Sequence, residues 1–184
     1  FQGAIGAYSE TAAQRAWSGS ETVALDRFED VFEAVASGRT SHGILPVENS
    51  IGGSIHRNYD LFLEHDLPIV AETELPVVHN LLALPGTTLS AVRRVFSHPQ
   101  ALAQCEMFLQ TLPGIEIVAT YDTAGSARMI RDGNLSDTAA IASLRAAEFF
   151  GLSVLQGGIH VRAKDYWKKV KRPANQKIKV TNTL

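Results

Sequence analysis

Lysine is missing from the first 160 of the 184 residues. That stretch holds nine arginines and eighteen acidic residues, a net charge of −9. Residues 161–184 hold Arg162, Arg172 and all six lysines against Asp165 alone, a net +7 that brings the whole chain to −2. A basic end of this kind can contact nucleic acid or an acidic surface. Its only aromatics are Tyr166 and Trp167, which is little for the interleaved stacking that single-strand binding uses. A solvated end is the better reading, and no nucleic-acid partner is expected. Cysteine is scarce as well. Cys105 stands alone, which excludes an internal disulfide and a cysteine metal cluster and suits a reducing compartment. No apolar run approaches the ~20 residues of a membrane helix, so no membrane partner is expected. The chain opens on Phe1 rather than Met, from which we expect a start further upstream and room for a removed targeting peptide.

Several chemical signatures are missing too. No glycine-rich loop ends in lysine plus serine or threonine, and the glycines lack dinucleotide spacing. The six histidines (His42, His56, His65, His79, His98, His160) are not paired at metal-ligand intervals. Phosphoryl transfer, hydride transfer and zinc hydrolysis are therefore poorly supported, and neither cofactor nor metal is expected.

What is present reads as a packed α/β body. Hydrophobic content of 45% and charged content of 20% predict a sizeable core. Helical patterns cover 8–17, 28–36, 51–64, 99–109, 123–131 and 144–150. Strand patterns cover 22–25, 42–47, 92–96, 115–119 and 139–142, with two further apolar runs in 68–83 broken at Pro76. This alternation predicts α/β architecture with largely parallel sheets. Linkers are short, so any division into lobes must use crossing strands, best placed near 70–80 and 152–158.

Four segments put small or polar residues where a strand gives way to a helix. In Gly3–Glu10 the glycines allow a close ligand approach and a helix start favours an anion, although a tight turn explains them equally well. In Pro46–Ser54, Glu48, Asn49 and Ser50 stand at the mouth of a strand, where a pocket or a plain helix cap would use them. In Ser97–Leu102, Pro99 suits a first helical turn, leaving Ser97 and Gln100 to face a ligand. His98 could act as acid or base, but a lone histidine is more often structural. In Asp122–Ala127, Asp122 or Thr123 reads first as an N-cap. Together they suit a small anionic ligand held by N–H groups, serines and amides.

Taken in order, Gly3–Glu10, Leu45–Leu61, Ser97–Cys105, Asp122–Ala127 and Thr138–Leu155 resemble the prephenate dehydratase family. The block PVENSIGGSIHRNYD (Pro46–Asp60) and LLALPG (Leu81–Gly86) are most similar to the plastid arogenate dehydratases of plants and algae. The resemblance implies two α/β lobes with a cleft between them, like a type II periplasmic binding protein. We place the first lobe at 1–75 and the second at 76–157. It also implies a carbon–oxygen lyase of phenylalanine biosynthesis acting on arogenate or prephenate, with no cofactor or metal. Asn49 and Gln100 become the leading substrate-binding residues, then Ser50, Ser97 and Thr123, with Glu48 and Ser126 in support. A plastid location follows if the source is a plant or alga, a cytoplasmic one otherwise. Homo-oligomers are common in the family.

One family feature is missing. Beyond Gly158-Ile159 the family continues to a Thr-Arg-Phe motif whose threonine is favoured as proton donor to the leaving hydroxyl. Residues 160–184 contain no Thr-Arg-Phe, and Thr181, between Val180 and Asn182, does not match it. No catalytic proton donor is therefore assigned. We expect 158–184 to be an atypical basic tail in place of the return segment, leaving a strand position of the first lobe empty. We expect no regulatory ACT domain and therefore no feedback control through one. The alternative reading is a non-catalytic ligand-binding or partner subunit of the same fold.

Overall fold

The computed structural model describes residues 1–160. The first 65 residues form three helices and a short hairpin. α1 (Tyr8–Ala16) has no side-chain cap at Ala7. The Glu10 carboxylate instead accepts the Gly6 N–H at 2.6 Å from inside the first turn. α2 (Phe28–Ala36) opens with Arg27 donating its backbone N–H and its guanidinium to the Asp30 carboxylate, and buries Val31, Phe32 and Ala34. The two-residue strands β1 (Glu48–Asn49) and β2 (Gly53–Ser54) pair antiparallel, and α3 (His56–Glu64) follows. Phe32 meets the edge of Phe62 at 5.2 Å and stacks on His65 at 5.0 Å, and Leu61 of α3 is fully buried. This is a small helical core.

The rest is built on one five-stranded sheet. Its strands are β3 (Asn80–Ala83), β4 (Arg94–Ser97), β5 (Glu116–Ala119), β6 (Thr138–Ala142) and β7 (Ser153–Gln156), in the order β5-β4-β6-β3-β7. β4 runs parallel to β5 and β6, whereas β3 runs antiparallel to β6 and β7. Helices α4 (Pro99–Gln104), α5 (Glu106–Leu109), α6 (Thr123–Asp132) and α7 (Leu144–Phe150) cover both faces. The period of two along each strand sorts the core. Leu81, Val95, Ala139 and Ile141 pack with Ala101, Leu102, Cys105 and Leu109 on one face. Leu82, Ala140 and Ala142 pack with Ala124, Ala127, Ile130 and Ala147 on the other. Alanines on β6, α6 and α7 bring helix and sheet close, and each large aliphatic side chain buried adds roughly 1.5–3 kcal/mol.

Several sequence expectations are corrected here. The expected strand at 22–25 reduces to one bridge between Leu25 and Gln2. No strand forms at 42–47, where residues are half-buried or exposed, and only 80–83 of the 68–83 stretch is a strand. A strand needs a ladder of partners for its backbone groups; residues 23–25 bond only to the chain's first three residues, and Val47 O accepts only from Ile55. The helix expected through 99–109 breaks at Cys105, whose φ of −102° and ψ of 6° leave helical geometry. That expected from 51 begins at His56, because 49–54 forms the hairpin. The sheet is mixed rather than largely parallel, since β3 is reversed. The expected basic tail and missing return segment lie, from 161 onward, outside the described residues. No helix among the described residues is long and apolar enough to cross a membrane.

Candidate functional site

Sheet topology brings the motifs to one edge. The carboxyl ends of parallel β4, β5 and β6 lie together, and reversed β3 adds its amino end there. Thr120 N–H bonds Ser97 O at 2.8 Å, and Ile159 N–H bonds His79 O at 3.0 Å. The openings of α4, α6 and α7 stand at this edge, the usual place for a ligand in an open α/β sheet. Each opening is capped by its own side chain. His98 Nδ1 accepts Gln100 N–H at 3.2 Å, the Asp122 carboxylate accepts Gly125 N–H, and Ser143 Oγ accepts Ala146 N–H at 3.0 Å. The caps spend one N–H each, so side-chain amides carry much of what remains for a ligand.

Two loops of the first half close on this edge. Ser143 Oγ donates to Gly6 O at 2.7 Å, tying the Gly3–Glu10 segment to α7. Gly6 has φ of +92°, and a Cβ there would lie 2.9 Å from the Ala146 Cα, so glycine is required by both backbone and space. The β1–β2 hairpin is the second loop. Asn49 Oδ1 accepts from the N–H groups of Ile51 and Gly52, each at 2.9 Å, and so fixes the turn. Gly52 then lies flat against Gln100: a Cβ on it would fall 1.5 Å from Gln100 Nε2. The hairpin and α4 are in direct contact here.

The expected site residues divide into two groups. Asn49 and Gln100 meet through Gly52, with Glu48 and Ser50 half-buried in the same hairpin. Thr123 is half-buried at the opening of α6, for which Asp122 is the cap. Ser97 and Ser126 differ: both are fully buried. Ser97 Oγ donates to Ile141 O at 2.7 Å, and Ser126 Oγ donates to Asp122 O at 2.7 Å beside Thr120 Oγ1. In this structure their hydroxyls bind the frame of the site.

Sequence reasoning missed a buried polar group on α4 and the start of β3. His79 Nε2 lies 2.8 Å from Gln104 Oε1, and His79 Nδ1 lies 3.1 Å from the Tyr8 hydroxyl. Burial pushes the His79 ring down to about 4, with the Gln104 bond opposing the shift and His160 adding slightly to it. Burial, and then the neighbouring Cys105, pushes the Tyr8 phenol well above its usual range. Burial pushes the Cys105 thiol up to about 12. The spacing of Gln104 four residues after Gln100 was the available signal, because it puts both on one side of α4. Glu10 is also buried, with Arg145 Nε 4.0 Å from its carboxylate.

A cavity of about 410 Å³ lies where the Gly3–Ile5 segment meets Thr120–Asp122, Gly125 and Ser126, two of the expected motifs. A larger one, about 680 Å³, is lined mainly by apolar residues of the first half, including Val31, Phe32, Ile44 and Phe62. Neither is lined by Asn49 or Gln100; we place the site by the hairpin–α4 contact instead. No cluster of three or more His, Cys, Asp or Glu suited to a metal occurs among the described residues.

Comparison with known proteins gives this edge its context. The family model of prephenate dehydratase matches residues 1–166. A relative from Arabidopsis thaliana, arogenate dehydratase/prephenate dehydratase 6, chloroplastic, is 54% identical over 161 residues, which are 86% of this chain and 39% of the relative. The chain thus spans about two fifths of the length of such a relative. The prephenate dehydratase of Arthrobacter aurescens, solved in complex with L-Phe, superposes with a TM-score of 0.77 at 28% identity, covering 87% of this chain and 55% of that one. GqqA, described as a novel type of quorum-quenching acylase, gives a TM-score of 0.80 at 38% identity, covering 87% and 58%. These structures bear out the two-lobed α/β fold of the type II periplasmic-binding-protein kind expected from the sequence. With the family match spanning nearly the whole chain, the chain belongs to the prephenate dehydratase family.

Proposed function

We propose that this chain is the dehydratase portion of an arogenate or prephenate dehydratase of phenylalanine biosynthesis, binding its substrate between two lobes. The observation that carries the reading is the hairpin–α4 contact, where Asn49 organises the turn and Gly52 meets Gln100. Lobe limits at 1–75 and 76–157 agree with a sheet confined to residues 80–156. The chloroplastic relative supports a plastid location. Homo-oligomeric assembly remains part of the proposal.

In the reaction, the ring C–CO₂⁻ bond breaks and releases carbon dioxide. Its electron pair enters the ring as the opposite C–OH bond breaks, and a proton supplied to the departing oxygen makes water. Aromatisation drives the step, so the protein must chiefly hold two carboxylates and a hydroxyl in place. In this reading Asn49, Ser50 and Gln100 bind the substrate, with Glu48 and Thr123 alongside, and the buried Ser97 and Ser126 hold the frame behind them. The proton donor is not assigned to any residue of this chain.

Turnover of both acids by the full chain, followed by aromatic absorbance, tests the reading. We expect turnover that falls at least about tenfold in Asn49→Ala, the cost of one charge-assisted hydrogen bond. Calorimetric binding without turnover, lost in the same variant, would instead establish the non-catalytic ligand-binding subunit. Neither binding nor turnover would sink the proposal.

A further inference from the structure

Three of the four most exposed large apolar side chains among the described residues line the cavity of about 680 Å³ in the first half. They are Leu63 at 88%, Ile69 at 72% and Val70 at 66%. Single apolar residues on a surface need no explanation, but a contiguous patch marks something that covers it. The backbone beside the patch is unpaired as well. No N–H between residues 68 and 78 makes a hydrogen bond among the described residues.

Acids surround the cavity. Glu72 lines it, and Glu33, Asp60, Glu64, Asp66 and Glu74 are exposed, each next in sequence to a lining residue. Of these six, only Glu64 has an ion pair among the described residues, with Arg57 at 2.8 Å. The negative charge of the body is concentrated in this half. Residues 1–75 hold twelve acids against four arginines, a net −8, whereas 76–160 hold six against five, a net −1. Residues 161–184 carry +7, and their only aromatics, Tyr166 and Trp167, stand between Lys164 and the run Lys168, Lys169 and Lys171. That segment combines apolar rings for the cavity with cations for its rim.

The place where the segment begins fits too. Ile159 N–H bonds His79 O at 3.0 Å, and His79 N–H faces His160 Nδ1 at 3.3 Å, so the chain passes residue 160 beside residue 79. Val70, at the cavity, lies nine positions before His79, and Lys169 lies nine beyond His160. An equal length of chain therefore reaches from His160 to the cavity with Tyr166 and Trp167 at hand. A tether that short gives an effective concentration on the order of millimolar. We propose that the apolar cavity of the first half is the docking surface of the chain's own residues 161–184, with Tyr166 and Trp167 entering it and the neighbouring lysines meeting its acidic rim. This end of the chain is then held by the first half rather than solvated, whatever the chain's activity.

All six lysines lie in 161–184, so a carbodiimide, which joins a lysine amine to a carboxylate without a spacer, reports the place of that segment. In the full chain at low salt, links from these lysines to the six rim acids should exceed those to Glu106, Glu116, Asp132 and Glu148 at least about fivefold per carboxylate. Links spread evenly over both halves overturn the proposal. In a mixture of isotopically light and heavy chains the links should stay within one chain. Links across chains would make the occupant a second copy, and overturn it as well. Tryptophan emission tests the apolar anchor. Trp17→Phe leaves Trp167 as the single tryptophan, and adding Val70→Glu wets the cavity while making it more acidic. Attraction by charge alone would hold the segment at least as tightly in that double variant. Entry of Trp167 into the cavity predicts instead that acrylamide quenches it at least about threefold more efficiently there, because a carboxylate replaces its apolar contact. Equal or weaker quenching in W17F/V70E overturns the proposal. If that variant does not fold, Leu63→Glu, at a position 88% exposed, takes its place, and the cross-links decide in either case.

Discussion

Two glycines show how differently a single missing side chain can matter. Gly52 has no unusual φ, and an added Cβ would meet only the far end of the flexible Gln100 side chain. Gly6 has φ of +92° and would drive its Cβ into the Ala146 backbone. We therefore expect Gly52→Ala to change folding stability by under about 1 kcal/mol while displacing Gln100, so that ligand affinity falls with little change in Tm. Gly6→Ala should cost about 2–4 kcal/mol, combining left-handed strain with a clash that α7 must move to relieve. Urea unfolding of both variants beside wild type checks the contrast. Equal stability losses would mean that the hairpin contact belongs to the core rather than to the site. Neither distinction was legible in the sequence, where both positions were simply glycine beside a polar motif. The place of Gln100 at a helix opening was legible because Pro99 marked it. For Gln104 the four-residue spacing from Gln100 was the only hint, and its bond to His79, 25 positions away, was not legible.

At the level of elements, the sequence was most informative where strand and helix alternate in short units. The α7 pattern, Leu144–Phe150 closed by Gly151 at φ of +66°, forms as read. Strands β4, β5 and β6 form within two residues of their expected ends. The apolar runs at 22–25, 42–47 and 68–75 carried equally good strand composition but form none, because a strand depends on a distant partner that local pattern cannot reveal. The reversal of β3 was hidden for the same reason. Ser143 links the two kinds of information: it is a readable N-cap for α7, yet its hydroxyl also donates across 137 positions to Gly6 O. Ser143→Ala should remove both bonds at once and leave a buried carbonyl unpaired. The expected cost is about 1–3 kcal/mol, or a few degrees in Tm. Thermal unfolding measures it, and a loss no larger than about 0.3 kcal/mol would mean that the cap and the tie to Gly6 contribute nothing net.

At the scale of the whole molecule, the buried His79 couples folding to acidity. Its ring titrates at about 4 in the folded chain against 6.5 when exposed, because burial opposes the charged form. The unfolded chain therefore binds this proton more readily than the folded one. The stability contributed by the neutral ring is complete above pH 6.5 and is lost as pH falls towards 4. A shift of that size corresponds to at most about 3 kcal/mol. The exposed pairs Arg27–Asp30 and Arg94–Asp137 act in the same direction but lower on the scale, because arginine holds those carboxyls below their usual range and they reprotonate only in stronger acid. Surface pairs of this kind contribute little. Between pH 6.5 and 4.5 the slope should therefore carry the signature of His79, and His79→Gln, which has no titrating ring, should flatten it. Urea unfolding at half-unit pH steps resolves the difference. Parallel slopes for the two proteins would mean that the proton enters the folded chain as easily as the unfolded one, and that the ring between Tyr8 and Gln104 is better solvated than its packing implies.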